Sequence, residues 1–374
     1  MPVDFINGGY IFSLITILLS LVLTLYCAKL LIEVHDKLGG SFSDMGKVCY
    51  GIWGKTAVDI SLAGSQIGFT CAYVYFIATN GQSVVAYASG NVDANNNPTD
   101  LIDKWWFGLL CFCIYVPLVF VRKIEKFAIT HLFGDIMIII AVIAICSYAG
   151  VKVNKDGFNG GELKPINYAL FPDAIGFAVY TFEGIGVIIP IKEITACKDY
   201  YKILCKVCFF ITFIYVVFSE FLVFTYGTDL TTPLITDQLP PESPVVWTIK
   251  LLFSFNLIFS YPLVIFPANM VIESYLFAGW PKSKRRQWMK NLSRTLIVTL
   301  TVVIAMLVWD KLDKFLSITG SLFCTPIAFI LPALFHFKAC ADTPRQRAID
   351  MSIVVLGCTI MFFCTIWGVV QWNA

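Results

Sequence analysis

The sequence predicts an all-helical, polytopic membrane protein with about ten spans, and three observations lead there. Of 374 residues, 58% are hydrophobic and only 14% charged, and the mean hydropathy of +0.76 exceeds what a water-exposed surface tolerates. Apolar runs long enough to cross roughly 30 Å of hydrocarbon recur along the whole chain with few charges inside them. Lysine and arginine collect in alternate loops, as the insertion machinery requires of a multi-span protein.

The runs cover residues 9–34, 58–86, 105–121, 127–151 and 171–191 in the first half. In the second half they cover 204–226, 246–272, 296–309, 312–337 and 349–372. Orientation follows from the loops between them. One set carries Lys37, Lys47 and Lys55, then Arg122, Lys123 and Lys126, then Lys192, Lys198, Lys202 and Lys206. It continues with Lys282, Lys284, Arg285, Arg286, Lys290 and Arg294, and ends with Lys338, Arg345 and Arg347. These are nineteen of the 27 basic residues and mark the cytoplasmic side. The opposite loops hold Lys104, Lys152, Lys155, Lys164, Lys311 and Lys314 beside Asp93, Asp100, Asp103, Asp229, Asp237 and Glu242, and face outward. Both ends of the chain then lie outside. The sequon Asn291-Leu292-Ser293 falls on the cytoplasmic side, where it stays unmodified, and Asn95-Asn96-Asn97-Pro98-Thr99 is not a sequon. The first run is too long, and lacks the small-residue site, for a cleaved signal.

Several function classes fall away. A net charge of +2 with basic residues in short clusters leaves no nucleic-acid footprint. Cys71, Cys111, Cys113, Cys208, Cys324, Cys358 and Cys364 lie in apolar runs, and Cys197, Cys205 and Cys340 in basic loops. None suits a disulfide framework, and no spacing suits zinc. No nucleophile motif or His/Asp cluster points to an enzyme, and no cofactor is implied.

Glycine and proline inside a span mark places where a helix opens onto protein or a water-filled cavity. The fifth span reads Gly176-Phe177-Ala178-Val179-Tyr180-Thr181-Phe182-Glu183-Gly184-Ile185-Gly186-Val187-Ile188-Ile189-Pro190. A carboxylate at mid-membrane costs about 2.5 kcal/mol or more, so intramembrane carboxylates are usually functional. Unwinding at Gly184 and Gly186 frees amides, and the second half-helix offers a dipole suited to a bound carboxylate. An ordinary kinked span with Glu183 paired to a neighbour is the alternative.

The seventh span carries Pro262 and Pro267, which bend a helix. The ninth carries Ile318-Thr319-Gly320-Ser321, Thr325-Pro326 and Leu331-Pro332, small and polar residues that line a cavity or pack helices. In the second span Gly64, Gln66 and Gly68 read as a packing face. Glu220, midway along the sixth span, is a second candidate proton carrier beside Glu183. Lys29, Asp59, Asp135, Lys250 and Glu273 read as helix-end groups. His35, His131 and His336 sit near the cytoplasmic face rather than at mid-membrane.

These residues resemble a known family, the amino acid/auxin permeases, and within it the proton-coupled amino acid transporter branch. Phe182 to Pro190 resembles that branch's sixth-helix signature. Gln66-Ile67-Gly68-Phe69-Thr70-Cys71-Ala72-Tyr73 resembles its third helix, Ser260-Tyr261-Pro262-Leu263 its eighth and Ile318-Thr319-Gly320-Ser321 its tenth. The resemblance implies a LeuT-like fold of inverted repeats with substrate between two broken helices. Family members have eleven spans, so the expectation is one transporter domain over residues 1–374 that lacks the first helix. Pro2 and Phe5-Ile6-Asn7-Gly8-Gly9 match that helix's end, which makes Met1 look like an internal methionine.

The function implied is secondary active transport of small neutral amino acids by alternating access. The coupling ion implied is the proton, and the partners are the amino acid and the bilayer of a plasma, endosomal or lysosomal membrane. The expected substrate-binding residues are Tyr180, Thr181, Phe182, Glu183 and Gly184, with Tyr73 and Ser260 as further wall residues. Sodium coupling, and a non-transporting amino-acid sensor, remain open at this point.

Overall fold

The computed structural model describes residues 2–90, 102–121, 125–159, 163–195, 199–230, 235–240 and 243–373. Outside them fall Arg122, Lys123, Lys198, Cys197, Asp93, Asp100, Glu242 and the 95–99 stretch, together with the side chains of Lys126, His131 and Asp237. Among the described residues the chain is helical and carries no strand. Among the described residues nine helical stretches are long and apolar enough to cross a membrane, and a shorter apolar helix, α4 (Lys104–Val119), occupies the place of the third expected span. The protein is a multi-pass helical membrane protein.

By internal contacts the chain divides into two units. The first comprises Met1–Ser65, Phe158–Thr231 and Asp313–Ala374, and the second Gln66–Gly157 and Thr232–Leu312.

In the first unit, α1 (Pro2–Gly8) turns at Gly9 into α2 (Tyr10–Leu38). The turn rests on an extended segment: Tyr10 N donates to Lys164 O, Phe12 N to Pro165 O and Asn167 N to Gly8 O. The helix α3 (Phe42–Ala88) begins here and runs on into the second unit. Its first turns lie where the sequence reads as a basic loop. They are helical because Phe42 and Met45 find apolar cover, Phe42 packing edge-on against Phe335. The kink that follows sits at Tyr50 and Gly51, and Gly51 takes φ of 63°, a conformation only glycine adopts freely.

The broken fifth span supplies α6 (Phe171–Thr181) and α7 (Ile185–Thr195), followed by α8 (Tyr200–Tyr226). The ninth span is α11 (Leu312–Thr319), two wide π-helical turns at Gly320–Cys324 and Pro326–Ile330, and α12 (Leu331–Ala339). The last helix is α13 (Pro344–Val370), opened by a capping box of Thr343 and Gln346. In this unit α2 packs on α6, α8 and α12, and α13 packs on α6 and α12.

In the second unit, α5 (Glu125–Asp156) packs along α9 (Pro244–Leu276), and α4 packs on α10 (Lys284–Leu307). The sequence expects Pro262 and Pro267 to bend the seventh span; α9 is one continuous helix through both. Tertiary contacts hold its course. Tyr261 is fully buried, stacks on Tyr115 at 3.7 Å between ring centroids, and its hydroxyl lies 2.7 Å from that of Thr301.

Lipid penalises an unsatisfied polar group, and several span hydroxyls find a partner within their own helix. Thr16, Thr212, Thr225, Thr319 and Thr359 each donate to the carbonyl four residues back. Outward faces are apolar instead, as with Leu19 and Val22 on α2, Phe210 and Phe213 on α8, and Phe362 and Ile366 on α13.

Candidate functional site at the break between α6 and α7

Three residues, Phe182, Glu183 and Gly184, separate α6 from α7. Phe182 leaves helical geometry at φ −99° and ψ 13°, and its amide turns back to the carbonyl of Tyr180. The Glu183 amide reaches the same carbonyl at 3.3 Å. The interruption includes Gly184 but lies two residues earlier than the pair of glycines suggests, since Gly186 sits inside α7. Gly186 is close-packed, a Cβ built there meeting Leu62 at 3.0 Å.

The break leaves backbone amides outside the helix ladder. The first amides of α7, at Ile185 and Gly186, have no carbonyl in register within their own helix, and they sit at the positive end of its dipole. Glu183 is half-buried beside them, within electrostatic reach of Cys324. Thr181 is less available than its sequence position implies, because its hydroxyl donates to Phe177 O at 3.0 Å. Tyr180 stacks on Phe177.

What holds the chain in this shape is a helix crossing at two glycines. A Cβ on Gly320 would stand 2.1 Å from Gly176 O, and one on Gly176 would stand 2.4 Å from Ser317 Oγ. Backbones touch there, as only small residues allow. The π-helical turn begins at Gly320, and Thr325 uses both its amide and its hydroxyl to reach Gly320 O. The alternatives for Gly320 and Ser321 resolve toward packing: Gly320 meets α6, and the Ser321 hydroxyl lies 2.9 Å from that of Thr365.

Residues Tyr180 to Gly184 thus lie together in the first unit, at the end of α6 and in the break. Tyr73 and Ser260 belong to the second unit. There Tyr73 is a neighbour of Tyr115, and Ser260 is buried with its hydroxyl on Asn256 Oδ1 at 3.2 Å. Glu220 lies on α8, with Oε2 buried and no hydrogen-bond partner among the described residues. A larger groove of about 550 Å³ between α2, α6 and α13 is lined by Ile15, Leu19, Val179, Phe329, Ile353 and other apolar residues. It lacks the converging polar groups that orient a small ligand.

Residues 1–371 match the model of the family described as transmembrane amino acid transporter protein. The chain belongs to that family. It is 32% identical to vacuolar amino acid transporter 3 of Schizosaccharomyces pombe over 98% of its own length and 54% of that protein's. With vacuolar amino acid transporter 3 of Saccharomyces cerevisiae it shares 30% identity over 100% of the chain and 54% of the relative. With amino acid transporter AVT3B of Arabidopsis thaliana it shares 28% over 96% and 85%. The chain spans about half the length of the two yeast relatives. The family is one of transporters rather than enzymes, in line with the motif resemblance.

Three features of this family member are not singled out by its sequence. The first is the Gly176–Gly320 crossing, whose one signal is a pair of glycines in separate spans. The second is a buried ion cluster in the second unit. Lys290 Nζ and Arg294 Nε each donate to Glu273 at 2.6 Å, and Arg294 Nη1 donates to Val119 O at 2.7 Å, tying α4, α9 and α10 together. The third is a set of charge pairs at the basic-loop end of α2. There His35 meets Glu193 at 3.2 Å and Lys192 pairs with Asp36, so α2 grips the end of α7. Among the described residues no group of three or more His, Cys, Asp or Glu has metal-holding geometry.

Proposed function

We propose that the chain is the membrane domain of a secondary transporter that carries small neutral amino acids by alternating access, with protons as the coupling ion. The observation that carries this reading is the break at Phe182-Glu183-Gly184, in a chain of the amino acid transporter family. Amides at the start of α7 suit the carboxylate of an amino acid. Phe182, Ile185 and Leu62 supply apolar surroundings that favour a neutral side chain. Glu183 is the acceptor for the coupled proton, and Glu220 is the second candidate. The basic loops face the cytoplasm, and the host membrane is that of a vacuole-like or endolysosomal compartment, the location in the yeast relatives' names.

The test is uptake of labelled neutral amino acids into proteoliposomes holding the full chain, under an imposed pH gradient. Glu183→Gln keeps shape and hydrogen bonding but removes the titrating proton. It should abolish proton-driven uptake, a loss of at least tenfold, in protein that still elutes as a folded species. Uptake that survives unchanged in this variant assigns the proton to Glu220 or elsewhere. Uptake that needs sodium and ignores the pH gradient overturns proton coupling altogether.

A further inference from the structure

His336 ends the ninth span, and the structure holds its ring between two carboxylates. Nδ1 lies 2.7 Å from Asp350 Oδ2 on α13, and Nε2 lies 3.1 Å from Glu33 Oε2 on α2. The imidazole and Asp350 are buried, at 3% and 0% exposure, whereas Glu33 is 42% exposed. The three residues come from three helices, Glu33 from α2, far off in sequence, and His336 and Asp350 from the consecutive α12 and α13.

Hydrogen-bond chemistry constrains such an arrangement tightly. An ionised carboxylate only accepts, and a neutral imidazole donates from one nitrogen and presents a lone pair at the other. Both contacts are hydrogen bonds only if the group of three carries one proton more than a neutral histidine and two carboxylates. An imidazole is ordinarily a stronger base than a carboxylate, so the extra proton sits on the ring, and both nitrogens donate. Losing it would set a ring lone pair against a carboxylate and break one of the two bonds. A metal ion is not an alternative occupant, because the two carboxylates lie off opposite ring nitrogens and cannot converge on one ion.

Among the described residues no Lys or Arg is paired with Asp350 or with the Glu33 oxygen that meets the ring. From α2, Lys29 lies 3.7 Å from the other oxygen of Glu33, and Lys37 is turned to the carbonyl of Ala339 at 2.6 Å. Tyr26 and Cys27 of α2 face Asp350, and Tyr201 of α8 faces Glu33. Cys340 and Asp342 follow in the turn after α12, Cys340 within electrostatic reach of both carboxylates. Asp350 Oδ1 is buried and has no hydrogen-bond partner among the described residues, so His336 is the group that balances it.

We propose that Glu33, His336 and Asp350 form a proton-binding site at the basic-loop end of the helices, and that the bound proton latches α2 to α12 and α13. The same end of α2 grips α7 through His35 and Asp36, so the latch reaches the second half of the broken span. Proton loss frees α2 from α13 and loosens that half. The site is separate from Glu183 and its test does not use transport, so either reading can fail alone.

The experiment is nitrogen-15 resonance of the histidine rings in the full chain, reconstituted in lipid nanodiscs. The chain has three histidines, and His35→Gln with His131→Gln leaves His336 as the one signal. At pH 7.5 an ordinary imidazole is about 90% neutral. The expected result is a ring with both nitrogens protonated in the wild-type triad. Glu33→Gln should return the ring to a neutral tautomer at the same pH, because the glutamine amide can donate to Nε2 while Nδ1–H donates to Asp350. Glu33 is partly exposed, so this variant should fold. A neutral ring in the wild-type triad overturns the site. A ring that stays doubly protonated in Glu33→Gln removes Glu33 from it and with it the latch.

Discussion

The two units of this chain treat charge and helix regularity in opposite ways. In the second, α9 passes two prolines without a break, and the buried carboxylate of Glu273 faces two cations, Lys290 and Arg294. In the first, one span is interrupted at three residues, another is wound wide at Gly320 and Pro326, and a single histidine faces two carboxylates. A cluster with cations to spare has no reason to change its protonation near neutral pH. One with a spare carboxylate holds a proton that can leave. The comparison teaches that irregular backbone and titratable charge are concentrated in the first unit, while the second is built as a fixed scaffold.

The largest expected effect tests the scaffold. Glu273→Gln leaves Arg294, 3% exposed, and Lys290 without their counter-charge. Breaking a buried pair by removing one partner costs about 3–5 kcal/mol, because the remaining charge stays buried. Detergent-solubilised variant should lose that much in chemical denaturation, and Glu273→Gln with Arg294→Met should recover a good part of it. A loss below about 1 kcal/mol would mean that water reaches the cluster and that the scaffold reading fails.

A smaller effect is expected at the crossing in the first unit. The Cβ of Gly320→Ala would stand 2.1 Å from Gly176 O, so α6 or the π-helical turn has to move. Forcing a methyl into a packed contact costs about 1–3 kcal/mol. The displaced element ends at the break, so uptake by the full chain should fall further than the stability loss explains. Unchanged stability and uptake in Gly320→Ala would show that the crossing has slack and does not set the shape of the break.

How much of this was legible beforehand depends on whether a feature is local. The spans were readable because length and apolar content are properties of one segment. So was the broken fifth span, since a carboxylate beside glycine at mid-membrane is a local conflict that a plain helix does not resolve. Its position was read two residues late, because Gly186 looks like a breaker but fits against Leu62 inside α7. The Tyr115–Tyr261 stack was not readable, because it joins residues on different helices. The first turns of α3 read as loop from Lys47 and Lys55, and became helix because Phe335 covers Phe42. His336 read as a residue near the cytoplasmic face, and only the packing of three helices puts it in one cluster with Glu33 and Asp350.

The smallest expected effect separates the two clusters most sharply, because it uses the same substitution as the largest. Glu33→Gln should cost less than about 1 kcal/mol at low pH, since Glu33 is 42% exposed and glutamine can still accept from the protonated ring. The sign of its pH dependence is the informative quantity. On the proposed site the proton is held by two hydrogen bonds that the unfolded chain lacks, so stability falls as pH rises and that proton leaves. The variant has no such proton to lose, because its amide can turn and donate to the neutral ring. The stability of Glu33→Gln relative to wild type should therefore rise with pH, by at most about 1.4 kcal/mol per unit for one proton. Glu273→Gln should show no such rise, its deficit staying flat across the same range. Thermal unfolding of both variants and the wild type at several pH values decides it. A flat difference for Glu33→Gln would make the first unit's cluster as fixed as the second's, and the contrast between the units would rest on the broken helix alone.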